Sequence, residues 1–165
     1  MISEILPGQL YVSDEWSAVT YQELDTYQIH TLLRLDRDCL VRTSWVQDPR
    51  RRPLLQHLVD GSGNHPSAFV RAAVLGVRAI QRHETPLLVY CMAGQNRSPL
   101  ICAFILVYLG YQSTVDEALA WLHTKRPVVN LQSEIRESIR IGDQAVLDSM
   151  KRNIEGNIVM QEIEK

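Results

Sequence analysis

This sequence is short of the features that mark secreted, metal-stapled or membrane-spanning chains. Three cysteines, Cys39, Cys91 and Cys102, occur in 165 residues. The count is odd and there is no CxxC pair, which argues against a disulfide framework and against a structural zinc site. The N-terminus, Met1-Ile-Ser-Glu-Ile-Leu-Pro7, lacks a basic stretch followed by an apolar one, and no apolar run is long enough to span a bilayer. A reducing, cytoplasmic setting without membrane insertion is expected. A large charge excess is missing too: the formal net charge of −2 excludes a whole-molecule footprint for nucleic acid or anionic lipid, while leaving local basic patches open. No internal repeat or low-complexity tract is present. What remains is a chain with 45% hydrophobic residues, enough at this length to bury one substantial core. One domain over residues 1–165, monomeric, is the expectation.

Strand-like and helix-like segments alternate along it. Strands are expected at 9–12, 29–35, 54–59 and 87–90. Helices are expected at 17–28, at 67–83 with Phe69, Ala72, Ala73, Gly76, Val77 and Ile80 on one stripe, from Pro99 to a stop at Gly110, at 113–127 up to Pro127, and at 132–150. A tail from about residue 151 reads as helical or frayed. This order implies the α/β class, with a central, mostly parallel twisted sheet covered by helices on both faces.

The most informative segment is Cys91-Met-Ala-Gly-Gln-Asn-Arg97-Ser98, between the apolar strand 87–90 and the apolar helix after Pro99. A strand that feeds a short loop into a helix aims successive backbone N–H groups, and the positive end of the helix, at one point where an oxyanion can sit. Residues Met92, Ala93, Gly94, Gln95, Asn96 and Arg97 would hold a phosphate there. The guanidinium of Arg97 can take two of its oxygens at once. Gly94 suits a tight turn close to a ligand. A cysteine at the start of such a loop is favoured as the thiolate, its nucleophilic form.

The segment resembles the signature loop of the cysteine-based protein phosphatases, Cys-x5-Arg-Ser/Thr, and among them the dual-specificity phosphatases. The resemblance covers about residues 1–145 and is strongest from Asp60 to Asn130. Low-molecular-weight phosphatases and arsenate reductases place the loop near the N-terminus, unlike this chain. Hydrolysis of phosphotyrosine and phosphoserine or phosphothreonine through a phosphocysteine is what the resemblance implies, on a phosphorylated protein or peptide, with no metal and no cofactor. An acid must protonate the leaving oxygen, and in an open parallel sheet it should follow a neighbouring strand. Asp60 does, and the family carries its general acid about thirty residues before the cysteine, a helix-plus-strand distance. Asp36, Asp38, His57 and His65 are rivals. Ser98, by resemblance, hydrogen-bonds the sulfur; the alternative is an N-cap followed by Pro99 at the first helical position. Asn130 in Arg126-Pro-Val-Val-Asn resembles a segment that supports the loop, or else opens the next helix.

One position departs from the family: Tyr90 stands where a histidine usually precedes the cysteine. A phosphate-binding pseudophosphatase is therefore an alternative function, as is a phosphatase for a non-protein substrate such as a phosphoinositide. Arg50-Arg51-Arg52, with Arg42 nearby, either recruits an acidic substrate or is a solvated loop. Cys39 is a candidate redox partner for Cys91, and Cys102 reads as a buried core residue.

Overall fold

The computed structural model describes residues 1–18, 20–37 and 48–163, the side chains of residue 21 and of 157–163 excepted. Asp38, Cys39 and Arg42 lie outside the described residues. Five strands, β1 (Ser3–Leu6), β2 (Leu10–Ser13), β3 (Thr31–Arg34), β4 (Arg52–Leu55) and β5 (Leu87–Tyr90), form one sheet in the order β1-β2-β5-β3-β4. Only the β1–β2 pair is antiparallel; β2–β5, β3–β5 and β3–β4 are parallel. The helices are α1 (Glu15–Ala18), α2 (Tyr21–Thr26), α3 (Pro66–Gln81), α4 (Arg97–Tyr108), α5 (Val115–Lys125) and α6 (Asp143–Ile163), with a 3₁₀ helix at Glu134–Ser138.

Alternation along the strands explains how both faces are covered. Leu10 and Val12 of β2, Leu33 of β3 and Leu87 and Val89 of β5 enter one core, with α3, α4, α5 and α6. Tyr11, Leu32, Leu88 and Tyr90 enter a second, smaller core under Ala18 and Leu24 of the two short helices. The α3 stripe of Phe69, Ala72, Ala73, Gly76, Val77 and Ile80 is buried, each large side chain contributing about 1.5–3 kcal/mol. α4 runs through the middle of the molecule and is buried from Arg97 to Leu106, so its sequence is apolar on all sides. It stops where expected: Gly110 adopts φ +86 just beyond its C-cap. Thr114 caps α5 by accepting the Glu117 N–H at 3.1 Å.

Several expected elements are corrected. The first hairpin strand, β1, carries too short an apolar pattern to be read, and pairs because Pro7 and Gly8 (φ +70) turn the chain back. The helix expected at 17–28 is two short helices, the first capped by Asp14, whose Oδ1 accepts the Ser17 N–H at 2.7 Å; Gln28 at φ 54 ends the second region. The strand expected at 54–59 is 52–55 instead. Arg52 and Pro53 sit at the exposed end of the sheet order, where apolar patterning is weak, and residues 56–65 leave the sheet. The helix expected at 132–150 begins only at Asp143, after Gly142 at φ +84, and residues 151–163 continue it.

Candidate active site

β5 lies at the centre of the sheet, and Cys91 follows its last residue at the carboxyl edge, where parallel sheets bind ligands. From there to α4 the loop is fixed by its carbonyls. Met92 O accepts the Glu15 N–H at 3.1 Å, and Gln95 O accepts the Asn130 N–H at 3.0 Å. Between them Gly94 O and Ala93 O accept from Nε and Nη2 of Arg126 at 2.9 and 3.4 Å. In a trans peptide the N–H points opposite to the C=O. With four successive carbonyls turned outward, the N–H groups of Ala93, Gly94, Gln95 and Asn96 face the inside of the loop, an arrangement that binds anions. Gly94 has φ +65, and a Cβ there would lie 2.8 Å from the Ser13 carbonyl oxygen, so both conformation and space require glycine.

Cys91 is 2% exposed, and its Sγ lies 3.2 Å from the hydroxyl of the buried Ser98. Ser98 is not the helix cap: Asn96 occupies that position and Ser98 is the second helical residue, with its hydroxyl turned to the sulfur. Arg97 is buried against Asp36, Nη1 to Oδ2 at 3.0 Å, and the same Nη1 donates to Leu58 O at 3.1 Å. The Nε–Nη2 edge is the one a bidentate anion would use. Asp36, a rival for the acid in the sequence, is thereby occupied in orienting Arg97.

Asp60 is exposed, and its Oδ1 accepts from Nδ2 of Asn96 at 3.2 Å. It sits within the irregular segment after β4, farther from the strand than expected. That segment is held by residues the sequence reading used only as turn signals or missed. Asn64 accepts the Val59 N–H at 2.7 Å and donates to Val59 O at 2.8 Å, while Ser138 Oγ donates to Gly61 O at 3.1 Å. Asn64 stood out only as part of a Gly-Ser-Gly-Asn turn, and Ser138 is 74 residues away from Asn64, so no local signal linked them. A polar cavity of about 260 Å³ adjoins Asp60, between Asn96, Asn130, Gln132, Ser133 and Glu134.

The remaining candidates are elsewhere. His57 Nδ1 accepts the Arg37 N–H at 3.3 Å, and His65 caps α3 by accepting the Ser67 N–H at 3.2 Å. Asn130 does not open a helix; its backbone amide supports the loop. Tyr90 is 1% exposed in the smaller core, on the opposite sheet face from the Cys91 cluster. Cys102 is buried, and burial pushes its thiol well above the ordinary range, with the nearby Cys91 adding to the effect. The arginine run lies at the amino end of β4, the end of the sheet remote from Cys91. Arg50 and Arg51 pair with Asp48 and Asp25, and Arg52 with Glu84. Among the described residues no three His, Cys, Asp or Glu side chains are grouped to hold a metal ion, and no helix is long and apolar enough to cross a membrane.

Comparison with known proteins agrees with this architecture. The protein-tyrosine-phosphatase IBR5 of Arabidopsis thaliana is 24% identical over 148 residues, which are 89% of this chain and 53% of that protein, so the chain spans about half its relative's length. The structure of DUSP15 superposes with a TM-score of 0.73 at 16% identity, covering 94% of this chain and 95% of the other. Human DUSP28 gives 0.68 at 16% identity over 93% and 95%, and PTPMT1 gives 0.71 at 13% over 94% and 99%. The family model for the catalytic domain of dual specificity phosphatases matches residues 10–141, and the chain belongs to that family.

Proposed function

We propose that the protein hydrolyses phosphomonoesters on phosphorylated proteins, accepting phosphotyrosine as well as phosphoserine and phosphothreonine, in one catalytic unit that works as a monomer. The observation that carries this reading is the outward anchoring of four consecutive loop carbonyls beside Cys91, which turns the N–H groups of Ala93 to Asn96 to the side where an oxyanion would sit.

In the first step the Cys91 thiolate attacks phosphorus in line. A sulfur–phosphorus bond forms as the bond to the ester oxygen breaks, and the Asp60 carboxyl gives its proton to that oxygen, releasing an alcohol or phenol. Arg97 and the amides of Ala93 to Asn96 stabilise the charge on the equatorial oxygens. In the second step water attacks the phosphocysteine while the Asp60 carboxylate takes its proton. The sulfur–phosphorus bond breaks, the electron pair returns to sulfur, and the Ser98 hydroxyl at 3.2 Å donates to the departing thiolate. The balance is ester plus water to alcohol plus phosphate, with no external reductant, oxidant or metal.

Dual specificity is what the family of the catalytic-domain match implies, and the exposed Met92 and Val59, at 54% and 48%, are apolar side chains free to meet a substrate. The test is para-nitrophenyl phosphate turnover by wild type, Cys91→Ser and Asp60→Asn. Both variants should lose activity, and the serine variant should still bind a phosphopeptide. A wild type that binds tungstate but turns nothing over would instead be a phosphate-binding pseudophosphatase.

A further inference from the structure

Arg126 is a buried cation that the mechanism above does not use. It is 6% exposed, sits at the C-cap of α5 immediately before Pro127, and is tied to that helix by its own amide, which donates to Leu122 O at 2.8 Å. Its guanidinium is divided between two parts of the molecule. Nη1 donates to Met1 O at 2.7 Å and to Ser3 Oγ at 3.1 Å, at the start of β1. Nε and Nη2 take the two central carbonyls of the signature loop, Gly94 O and Ala93 O.

The outer carbonyls of that loop are anchored by backbone amides of neighbouring segments, Glu15 and Asn130. For the central two, Arg126 is the anchor among the described residues. A single side chain therefore sets the direction of two adjacent peptide planes, and with them the N–H groups of Gly94 and Gln95. The fit is close: a Cβ on Gly94 would come within 2.5 Å of Arg126 Nη2. Among the described residues the carboxylate paired with it is Asp14, whose Oδ2 lies 3.8 Å from Nη2, beyond hydrogen-bond distance, so the positive charge is also felt in the loop. Burial pushes the pKa of Arg126 below that of a free arginine, while its electrostatic interactions with Asp14 and Cys91 act in the opposite direction.

We infer that Arg126 is a positioning residue for phosphate binding and turnover, holding the Gly94 and Gln95 amides toward the anion by fixing the carbonyls behind them. The inference rests on the phosphatase reading above and adds to it a residue that touches neither substrate nor sulfur. Lysine cannot substitute, because one ammonium group cannot span two carbonyls with the fixed spacing of Nε and Nη2.

The experiment compares wild type, Arg126→Lys, Arg126→Met and Ser3→Ala by thermal unfolding, tungstate affinity and steady-state kinetics. Loss of a charge-assisted pair of hydrogen bonds should weaken tungstate binding by about tenfold or more in both Arg126 variants. Their kcat should fall by a larger factor than KM rises, since the cradle holds the transition state more tightly than the substrate. Ser3→Ala, which touches only the β1 side of the guanidinium, should lower the Tm slightly and leave tungstate affinity and kcat at the wild-type level. A folded Arg126→Met protein with wild-type tungstate affinity and kcat overturns the inference. Where Arg126→Met fails to fold, Arg126→Lys decides: equal losses in Arg126→Lys and Ser3→Ala would mean that the arginine merely braces the fold. Wild type that binds no tungstate would overturn the phosphatase reading itself, a result distinct from either.

Discussion

Gly94 is under two independent constraints, a left-handed φ of +65 and a backbone neighbour at 2.8 Å, so relieving one does not relieve the other. Gly94→Ala must push the loop away from Ser13 and Arg126. A misplacement of about 1 Å at a reacting centre costs about a hundredfold in rate. The expected result is a kcat/KM for para-nitrophenyl phosphate lowered by roughly that factor, with a far-UV spectrum like wild type. Asp36 carries a different burden. Removing it as Asp36→Ala leaves the buried Arg97 guanidinium without its 3.0 Å partner, and uncompensated buried charge costs about 3–5 kcal/mol. Urea unfolding should record that loss, and kcat/KM should fall with it as Arg97 loses its orientation. Both residues could be seen in the sequence, but only one could be understood there. The glycine's place inside a Cys-x5-Arg loop announces its role, whereas an aspartate after a strand can face either a leaving group or an arginine. Only the turn of the chain past Leu58 decides between them.

At the scale of elements, the segment after β4 shows how a loop can be made exact without regular structure. Asn64 closes on Val59 from both sides, and Ser138 reaches over from the 3₁₀ helix to Gly61. Ser138→Ala should loosen the Asp60 loop and lower kcat by about tenfold, with tungstate affinity unchanged, because the amide cradle does not depend on it. The arginine run makes the opposite kind of prediction. Hydrogen bonds from Arg50 hold the Asp48 carboxyl well below the usual carboxylate range. A carboxylate whose native pKa lies below its unfolded one stabilises the fold above about pH 4 and loses that contribution as the pH falls further. Asp48→Asn should therefore unfold more easily than wild type at neutral pH, the two curves converging in acid, and phosphopeptide kinetics should stay the same. Strongly periodic elements such as α3, and those with a cap or a glycine stop such as α4 and α5, were legible in the sequence. β1 was not, and β4 was legible only in part, at 54–55, because a short strand at the edge of a sheet is defined by its partners rather than by its own pattern. The start of α6 was missed for a related reason: the apolar residues between 132 and 142 are used by a 3₁₀ turn and a loop.

For the molecule as a whole, the sheet order matters more than any one contact. Placing β5 between β2 and β3 brings Cys91 to the middle of the carboxyl edge, with the β2–α1 turn on one side and the segments after β3 and β4 on the other. The class and the parallel core of this sheet follow from alternating strand and helix patterns, while the antiparallel addition of β1 had no signal of its own. Stability and chemistry are also spatially separate. α6 packs on α3 and α4 through residues such as Met150 and Ile154, away from the signature loop. Ile154→Ala should cost about 2–4 kcal/mol in denaturant unfolding and leave KM and tungstate affinity where they are in wild type.

The anchors of the phosphate cradle come from residues 15, 126 and 130, on segments distant in the chain from residues 92–95. A nascent chain that already carries Cys91 but not yet residues 126 and 130 has a thiol without a socket. The cradle is therefore complete only once segments well downstream of the cysteine have folded against it, and its assembly is tied to long-range contacts rather than to the loop's own sequence.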